Sequence, residues 1–323
     1  MENLRGIDPK LDLIEKFKNS SLYKKIKENK DEYLVCIRNN SIGIYYNADR
    51  IAKVYVSRKE LKAEINSFYS SDYWDTNIRE KGNYEKKTLD YIETNIDDIK
   101  KNSDAKCKNL KEKKAQQALV VANNSNPNSE WFCFDIEYRQ SIKAQHKDLF
   151  TGRFDILAIS KKTPHKLAII ELKYNKESIG GFSGIAKHIK DFDTFNDESN
   201  NCVSNLKEEV KNIITDMKSL EIDMPALDID YNNIEKPEFY IICLYDTKES
   251  PRGTVGGYLF DTKREHWHTK RTSKHNIIDE IGENYNIEST ECPIKVNFLF
   301  KKVESPKNLG ITDILDTNQY DKE

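Results

Sequence analysis

Residues 153–174 read Arg153-Phe-Asp-Ile-Leu-Ala-Ile-Ser160, then Lys161-Lys-Thr-Pro-His-Lys166, then Leu167-Ala-Ile-Ile-Glu-Leu-Lys-Tyr174. Two apolar runs joined by a short polar link containing Pro164 predict a β-hairpin. With the turn centred on Thr163, Asp155 falls opposite Glu171. Side chains alternate along a strand, so Asp155, Glu171 and Lys173 are expected on one face. Ionised groups on a core sheet cost several kcal/mol, roughly, per unpaired ion and persist where they are paired or bind a metal. Two neighbouring carboxylates repel, and a divalent cation relieves that repulsion. Mg²⁺ takes hard oxygen ligands and keeps positions open for water and phosphate. Asp155 and Glu171 are therefore the candidate metal ligands, and Lys173 the group that acts on an attacking water.

The surrounding pattern extends this core. Strands are expected at Trp131–Tyr138, Arg153–Ser160, Leu167–Tyr174 and Glu238–Tyr245, and helices at Ile185–Phe195 and Cys202–Leu220. The apolar runs Leu167–Ile170 and Ile241–Cys243 suit strands covered on both faces. Residues 258–261 and 295–302 are expected to add edge strands, and 313–323 to fray. Upstream, residues 1–30 predict one or two amphipathic helices. Tyr33–Arg38, Ile42–Tyr46 and Ile51–Val56 predict a β-meander with turns at Asn39-Asn40 and Asn47-Ala48-Asp49. A capping-box pattern, Ser57 with Glu60, predicts a helix over 57–69, and two more are expected over 85–99 and 104–122. The expected division is a small α+β module over 1–78 and an α/β domain over 79–323.

At these residues the chain resembles the PD-(D/E)xK nuclease superfamily. Asp155 matches its lone acid on the second core strand, Glu171-Leu172-Lys173 matches its E-x-K, and residues 104–245 follow its element order. Phe154 stands where the motif has proline. The resemblance implies a restriction-endonuclease-like core, a central mixed sheet flanked by helices. It also implies hydrolysis of nucleic acid, DNA ahead of RNA, by an endonuclease using Mg²⁺ or Mn²⁺. A further acidic ligand is expected from the helix before the first core strand. Glu112 is the first choice, with Glu85 and Glu137 as rivals. The helix after Gly184 is expected to border the site and to offer Lys187, His188 and Lys190 to phosphate.

E-x-K alone carries little weight, because Glu28-x-Lys30, Glu60-x-Lys62, Glu85-x-Lys87 and Glu112-x-Lys114 share the spacing. These four lie in charged stretches patterned as helices, whereas Glu171 ends an apolar strand. The bland alternative is a surface hairpin with an Asp155–Lys173 or Glu171–Arg153 salt bridge. Residues 263–275 are the most basic stretch and contain Trp267. Lys270 and Arg271 there are further candidates for contact with single-stranded or distorted nucleic acid.

Composition bounds the partners. The 323 residues carry 52 basic and 54 acidic side chains, a formal charge of −2, so any nucleic-acid contact must come from a local patch. Six separated cysteines, with no Cys-x-x-Cys, disfavour a zinc ribbon and a disulfide scaffold and fit a cytoplasmic protein. No signal peptide or long apolar run points to a membrane. P-loop, nucleophile-elbow and zincin motifs are absent from the sequence. A homodimer would suit double-strand cleavage. The alternative function is a non-catalytic nucleic-acid-binding or assembly module that keeps the nuclease fold.

Overall fold

The computed structural model describes residues 4–47, 49–70, 84–140, 152–175, 184–222, 224–225, 227–246, 286–287 and 294–321. The chain is mixed α/β and forms two compact units. The first comprises Met1–Pro127 with Glu208–Leu227, and the second Asn128–Lys207 with Asp228–Glu323. The expected boundary after residue 78 lies outside the described residues, and the units divide elsewhere. The helices after residue 88 pack on the N-terminal sheet and so join its unit.

In the first unit, α1 (Leu13–Lys18) and α2 (Ser21–Glu28) precede five antiparallel strands. These are β1 (Tyr33–Arg38), β2 (Ser41–Tyr46), β3 (Asp49–Ser57), β4 (Glu60–Asn66) and β5 (Tyr84–Lys87), paired in chain order. The meander over β1–β3 matches the sequence pattern. The helix expected over 57–69 is a strand instead, followed by a short helical turn at Ser67–Tyr69. Arg58 and Lys59, at φ 53° and 65°, form a two-residue turn that folds β4 back on β3. Ala63 and Ile65 then fall two apart on the core face, both buried. The Ser57/Glu60 capping pattern gave way to a period-two apolar face.

Glu85–Lys87 is likewise strand rather than helix. Thr88 caps the next helix, its hydroxyl accepting from Tyr91 N at 3.1 Å. There follow α3 (Leu89–Thr94), α4 (Ile96–Lys106) and α5 (Lys111–Ser125), so the helix expected over 104–122 is interrupted at residues 107–110. The turn cluster after residue 122 ends α5 as expected.

In the second unit, β6 (Trp131–Tyr138), β7 (Phe154–Ser160), β8 (Leu167–Tyr174), β9 (Glu238–Tyr245), β10 (Asn286–Ile287) and β11 (Val296–Lys302) form one mixed sheet in the order β10-β11-β9-β8-β7-β6. The β7–β8 hairpin has the anticipated register, Ile156 opposite Ile170 and Ile159 opposite Leu167. His165 pins its turn: Nδ1–H donates to Ser160 O at 2.9 Å, and Nε2 accepts from Asp230 N at 3.1 Å. β9 runs parallel to β8, so β8 lies inside the sheet and all eight of its residues are buried.

Two helices complete this part of the chain. They are α6 (Ile185–Asn196) and α7 (Cys202–Leu220), the latter passing into the first unit after Lys207. Phe192 of α6 lies 4.9 Å from the Phe239 ring of β9 and 5.4 Å from Phe154 of β7, centroid to centroid. β11 lies beside β9 and carries only the two-residue β10 on its other side, and residues 258–261 fall outside the described residues. The segment 313–321 is not frayed. Ile314 and Tyr320 are buried, Tyr320 OH donates to Ile314 O at 2.6 Å, and Tyr245 OH donates to Asp321 Oδ2 at 2.6 Å. Its polar composition masks buried apolar residues, Ile314 and Tyr320.

The Arg58-Lys59 turn places two side-chain-bearing residues in a left-handed conformation that Asn-Gly adopts readily. The double substitution Arg58→Asn/Lys59→Gly is expected to raise stability by about 0.5–1 kcal/mol, seen as a higher urea midpoint with an unchanged slope.

Candidate active site

The candidate site is built on β8. Glu171 and Lys173 are two apart on one strand, so their side chains leave the same face, and Lys173 Nζ donates to Glu171 Oε1 at 3.0 Å. The same spacing gives the same ion pair twice more, on strands of the first unit. Lys62 Nζ lies 3.2 Å from Glu60 Oε2, and Lys87 Nζ 3.2 Å from Glu85 Oε2. These two E-x-K tripeptides are therefore strand elements, not helical ones, and helix patterning does not separate them from Glu171-x-Lys173.

Burial does separate them. The Glu60 and Lys62 side chains are 72% and 34% exposed, and Glu85 and Lys87 40% and 23%. Glu171 and Lys173 are 4% and 2% exposed. An exposed pair is worth roughly 0–1 kcal/mol, whereas a buried one must offset several kcal/mol of lost hydration per ion.

Part of that offset comes from a residue assigned a different role from sequence. His188 was expected to face phosphate from α6, yet it is buried, with Nε2 3.0 Å from Glu171 Oε1 and 3.1 Å from Lys173 Nζ. The periodicity of α6 holds the signal: His188 lies one turn before Phe192 and beside Ile185 and Ile189, all on the buried face. One ring nitrogen cannot accept from the ammonium and donate to the carboxylate at once. Burial alone pushes the Glu171 carboxyl upward, but the attraction of Lys173 and His188 outweighs it and holds the group at about 2.

Asp155 enters from β7. It is buried, and its Oδ2 accepts from Leu172 N at 2.8 Å, so the carboxylate is anchored to β8 between Glu171 and Lys173 in the chain. Lys173 pairs with Glu171, and Arg153 Nη1 lies 3.5 Å from Glu137 Oε1. Glu137 is thus drawn to the hairpin's entry. Glu85 pairs with Lys87 on β5, and Glu112 stands in the first turn of α5 in the first unit.

Further along α6, Lys187 forms an ion pair with Asp191, a residue that the sequence reading did not single out. Burial raises the Asp191 carboxyl, with Lys187 opposing. Lys187 is therefore engaged by a carboxylate rather than presented alone. Lys190 follows on the same helix, and Lys270 and Arg271 lie outside the described residues.

Glu171 Oε2 is buried and has no hydrogen-bond partner among the described residues. No group of three or more His, Cys, Asp and Glu side chains close enough to hold a metal occurs among them. A cation at this site would therefore rest on the two carboxylates Asp155 and Glu171, with water and substrate completing its shell, a donor set that suits Mg²⁺. None of the five described cysteines is in a disulfide, and Cys292 lies outside them. No helix among the described residues is long and apolar enough to cross a membrane. Comparison of the chain with protein-family models, with characterised proteins and with solved structures found no match.

The lowered Glu171 carboxyl has a definite pH signature. Its contribution to stability is fully present above the ordinary value of 4.5 and is lost as pH falls from there toward about 2. Glu171→Gln leaves Lys173 buried without its anion and is expected to cost about 3–5 kcal/mol at pH 7. In urea denaturation from pH 7 to pH 3, the gap between the wild-type protein and Glu171→Gln should narrow below pH 4.5.

Proposed function

We propose that the second unit is a divalent-metal-dependent nuclease that hydrolyses phosphodiester bonds, with DNA ahead of RNA as substrate. The observation carrying this reading is the acid–lysine pair Glu171–Lys173, buried on an interior strand beside the anchored carboxylate of Asp155. Packed apolar residues would often stabilise such a strand as well or better, so stability alone is a weak reason to retain the charges. The resemblance to PD-(D/E)xK enzymes supplies the chemistry that fits them, through Asp155, Glu171-Leu172-Lys173 and the strand–strand–helix order that follows.

Asp155 and Glu171 would hold the ion, and the partnerless Glu171 Oε2 is the oxygen best placed to gain from it. When bound, Mg²⁺ or Mn²⁺ supplies neutralisation of the scissile phosphate. The chain's own groups do the rest. Asp155, tied to the Leu172 amide, is held against the strand that bears the other two residues. Lys173 directs its ammonium toward the reacting phosphate and orients the incoming water. As the water oxygen bonds to phosphorus, its proton passes to bulk solvent. The bond from phosphorus to the leaving nucleotide oxygen breaks, and that oxygen takes a proton from solvent.

A second reading, a nucleic-acid-binding or assembly module without turnover, draws support from one feature. Glu171 Oε1 is contacted by both Lys173 and His188, and among the described residues no group of three or more His, Cys, Asp and Glu side chains could hold a metal. A divalent-ion titration followed by thermal shift separates the two. The nuclease reading expects Mg²⁺ or Mn²⁺ to raise Tm in the wild-type protein but not in Glu171→Gln. A non-binding module expects no response in either.

Cleavage should be assayed on labelled single-stranded DNA, duplex DNA and RNA with each ion. Asp155→Ala and Lys173→Ala are expected to lower metal-dependent cleavage by about 10²–10³-fold or more, with circular dichroism reporting the fold of each variant. Wild-type rates in either folded variant would overturn the nuclease reading.

A further inference from the structure

The five-stranded sheet of the first unit has one apolar face and one of a different kind. Ile42, Ile44, Val54, Ala63 and Ile65 are buried on the first. The opposite face follows from the ladder. Arg38 sits across from Ser41, Ser41 from Tyr55, Tyr55 from Lys62, and Lys53 from Glu64. Glu64 faces Lys86, and Asn66 faces Tyr84. Directly opposed residues share a face, so these side chains lie on one face of the sheet, buried over β1 and β2 at Cys36, Ser41 and Tyr45, half-buried at Lys53, Tyr55 and Lys62, and open at Tyr84 and Lys86 on β5.

On that surface cations alternate with tyrosines. The Arg38 guanidinium carbon lies 5.4 Å from the Tyr45 ring centroid, Arg50 5.3 Å from Tyr84, and Lys53 Nζ 5.2 Å from Tyr55. Gly43 lets the Tyr45 ring cross the strand, since a Cβ there would come within 2.9 Å of Tyr45 Cε2 and 3.4 Å of Arg50 Cδ. Tyr45 is thereby the buried footing. Tyr84 is 60% exposed, more than Leu110 at 41%, the other exposed large apolar side chain among the described residues. Tyr55, two strands away on β3, is half-buried. Five cations (Arg38, Arg50, Lys53, Lys62, Lys86) share the face with two carboxylates, Glu64 3.9 Å from Lys53 Nζ and Glu60 3.2 Å from Lys62 Nζ, so three positive charges remain unbalanced in a chain whose overall charge is −2.

We propose that this face binds single-stranded nucleic acid, with Tyr84 and Tyr55 as stacking platforms for unpaired bases and Arg50, Lys53, Lys62 and Lys86 as contacts to the phosphates. The charge is complementary to a polyanion and is concentrated where the rings are, the combination that suits unpaired strands rather than closed duplexes. An anionic membrane would share the attraction to cations, but it would make no use of flat rings spread across a sheet. The inference deepens the nuclease reading, because it gives the first unit the task of holding a strand, and it is testable apart from that reading.

The test uses the full chain in EDTA, so that no cleavage consumes the probe, and follows the anisotropy of a labelled 20-nucleotide strand. The wild-type protein is expected to bind single-stranded DNA or RNA in preference to a duplex of the same sequence. Tyr84→Ala should weaken binding about tenfold, while Tyr84→Phe, which keeps the ring, stays near wild type. Each of Lys53→Ala and Lys62→Ala should flatten the dependence of log Kd on log salt by about 0.7. Parallel arms with single-stranded DNA and RNA identify the strand. Wild-type affinity in Tyr84→Ala together with Lys53→Ala/Lys62→Ala overturns the proposal. So does a preference for duplex, or for phosphatidylserine vesicles over oligonucleotide. Because Lys173→Ala leaves this face intact, loss of cleavage with retained binding would leave both readings standing. Loss of binding only in the sheet-face variants, with no cleavage by the wild-type protein, would sink the nuclease reading alone.

Discussion

A lysine ammonium within 3.0 Å of a glutamate carboxylate, both almost without solvent, sets the terms for the second unit. Neither charge could stay on an interior strand alone, since the several kcal/mol lost on leaving water must be offset by a partner in fixed geometry. That geometry requires β8 to be held on both sides. β7 does so through the hairpin and through Asp155, which is tied to the backbone of β8, and β9 through a parallel ladder. It also requires a third polar group, and His188 reaches the pair only because Ile185, Ile189, Phe192 and Phe195 seat α6 among buried aromatic residues. The apolar seam and the charge cluster are thus two aspects of one arrangement, in which the seam sets the distance that the charges need.

The two sheets show how the same local chemistry diverges with context. Glu-x-Lys on a strand gives an i, i+2 ion pair in all three places where the pattern falls on strands. On β4 and β5 water screens it, and on β8 it is enclosed. In the first unit the face opposite the apolar one is buried over β1 and β2 and open at Tyr84 and Lys86 on β5. β8 in the second unit has no such side. The first sheet can therefore present a surface, and the second can hold a reactive group out of water. In the proposed division of labour, one unit grips a strand and the other hydrolyses it.

Where a segment's own side chains carried its period, the sequence was a sound guide. Trp131–Tyr138, Leu167–Tyr174, Cys202–Leu220 and Glu238–Tyr245 have the bounds expected of them, and the hairpin register follows from the length of its link. Reading failed where a local signal competed with a distant one. Ser57 and Glu60 have the residues of a helix cap, yet a left-handed turn at Arg58-Lys59 and the half-buried face of Ala63 and Ile65 make the segment a strand. The charged tail over 313–321 was expected to fray, but Ile314 and Tyr320 are buried.

The site divides along the same line. The sequence by itself determined that an acid and a lysine leave one face of an apolar strand and that a second acid lies on the strand before it, because side-chain alternation is a property of the local backbone. Only the tertiary structure decided that this pair, unlike those at Glu60 and Glu85, is sealed from water, that His188 joins it, and that Lys187 pairs with Asp191. Burial and ionic partnership depend on which residues distant in the chain come to lie alongside. No periodicity within eight or ten residues records that Glu171 will meet a helix seventeen positions on, or that a strand beginning at Glu238 will cover its flank.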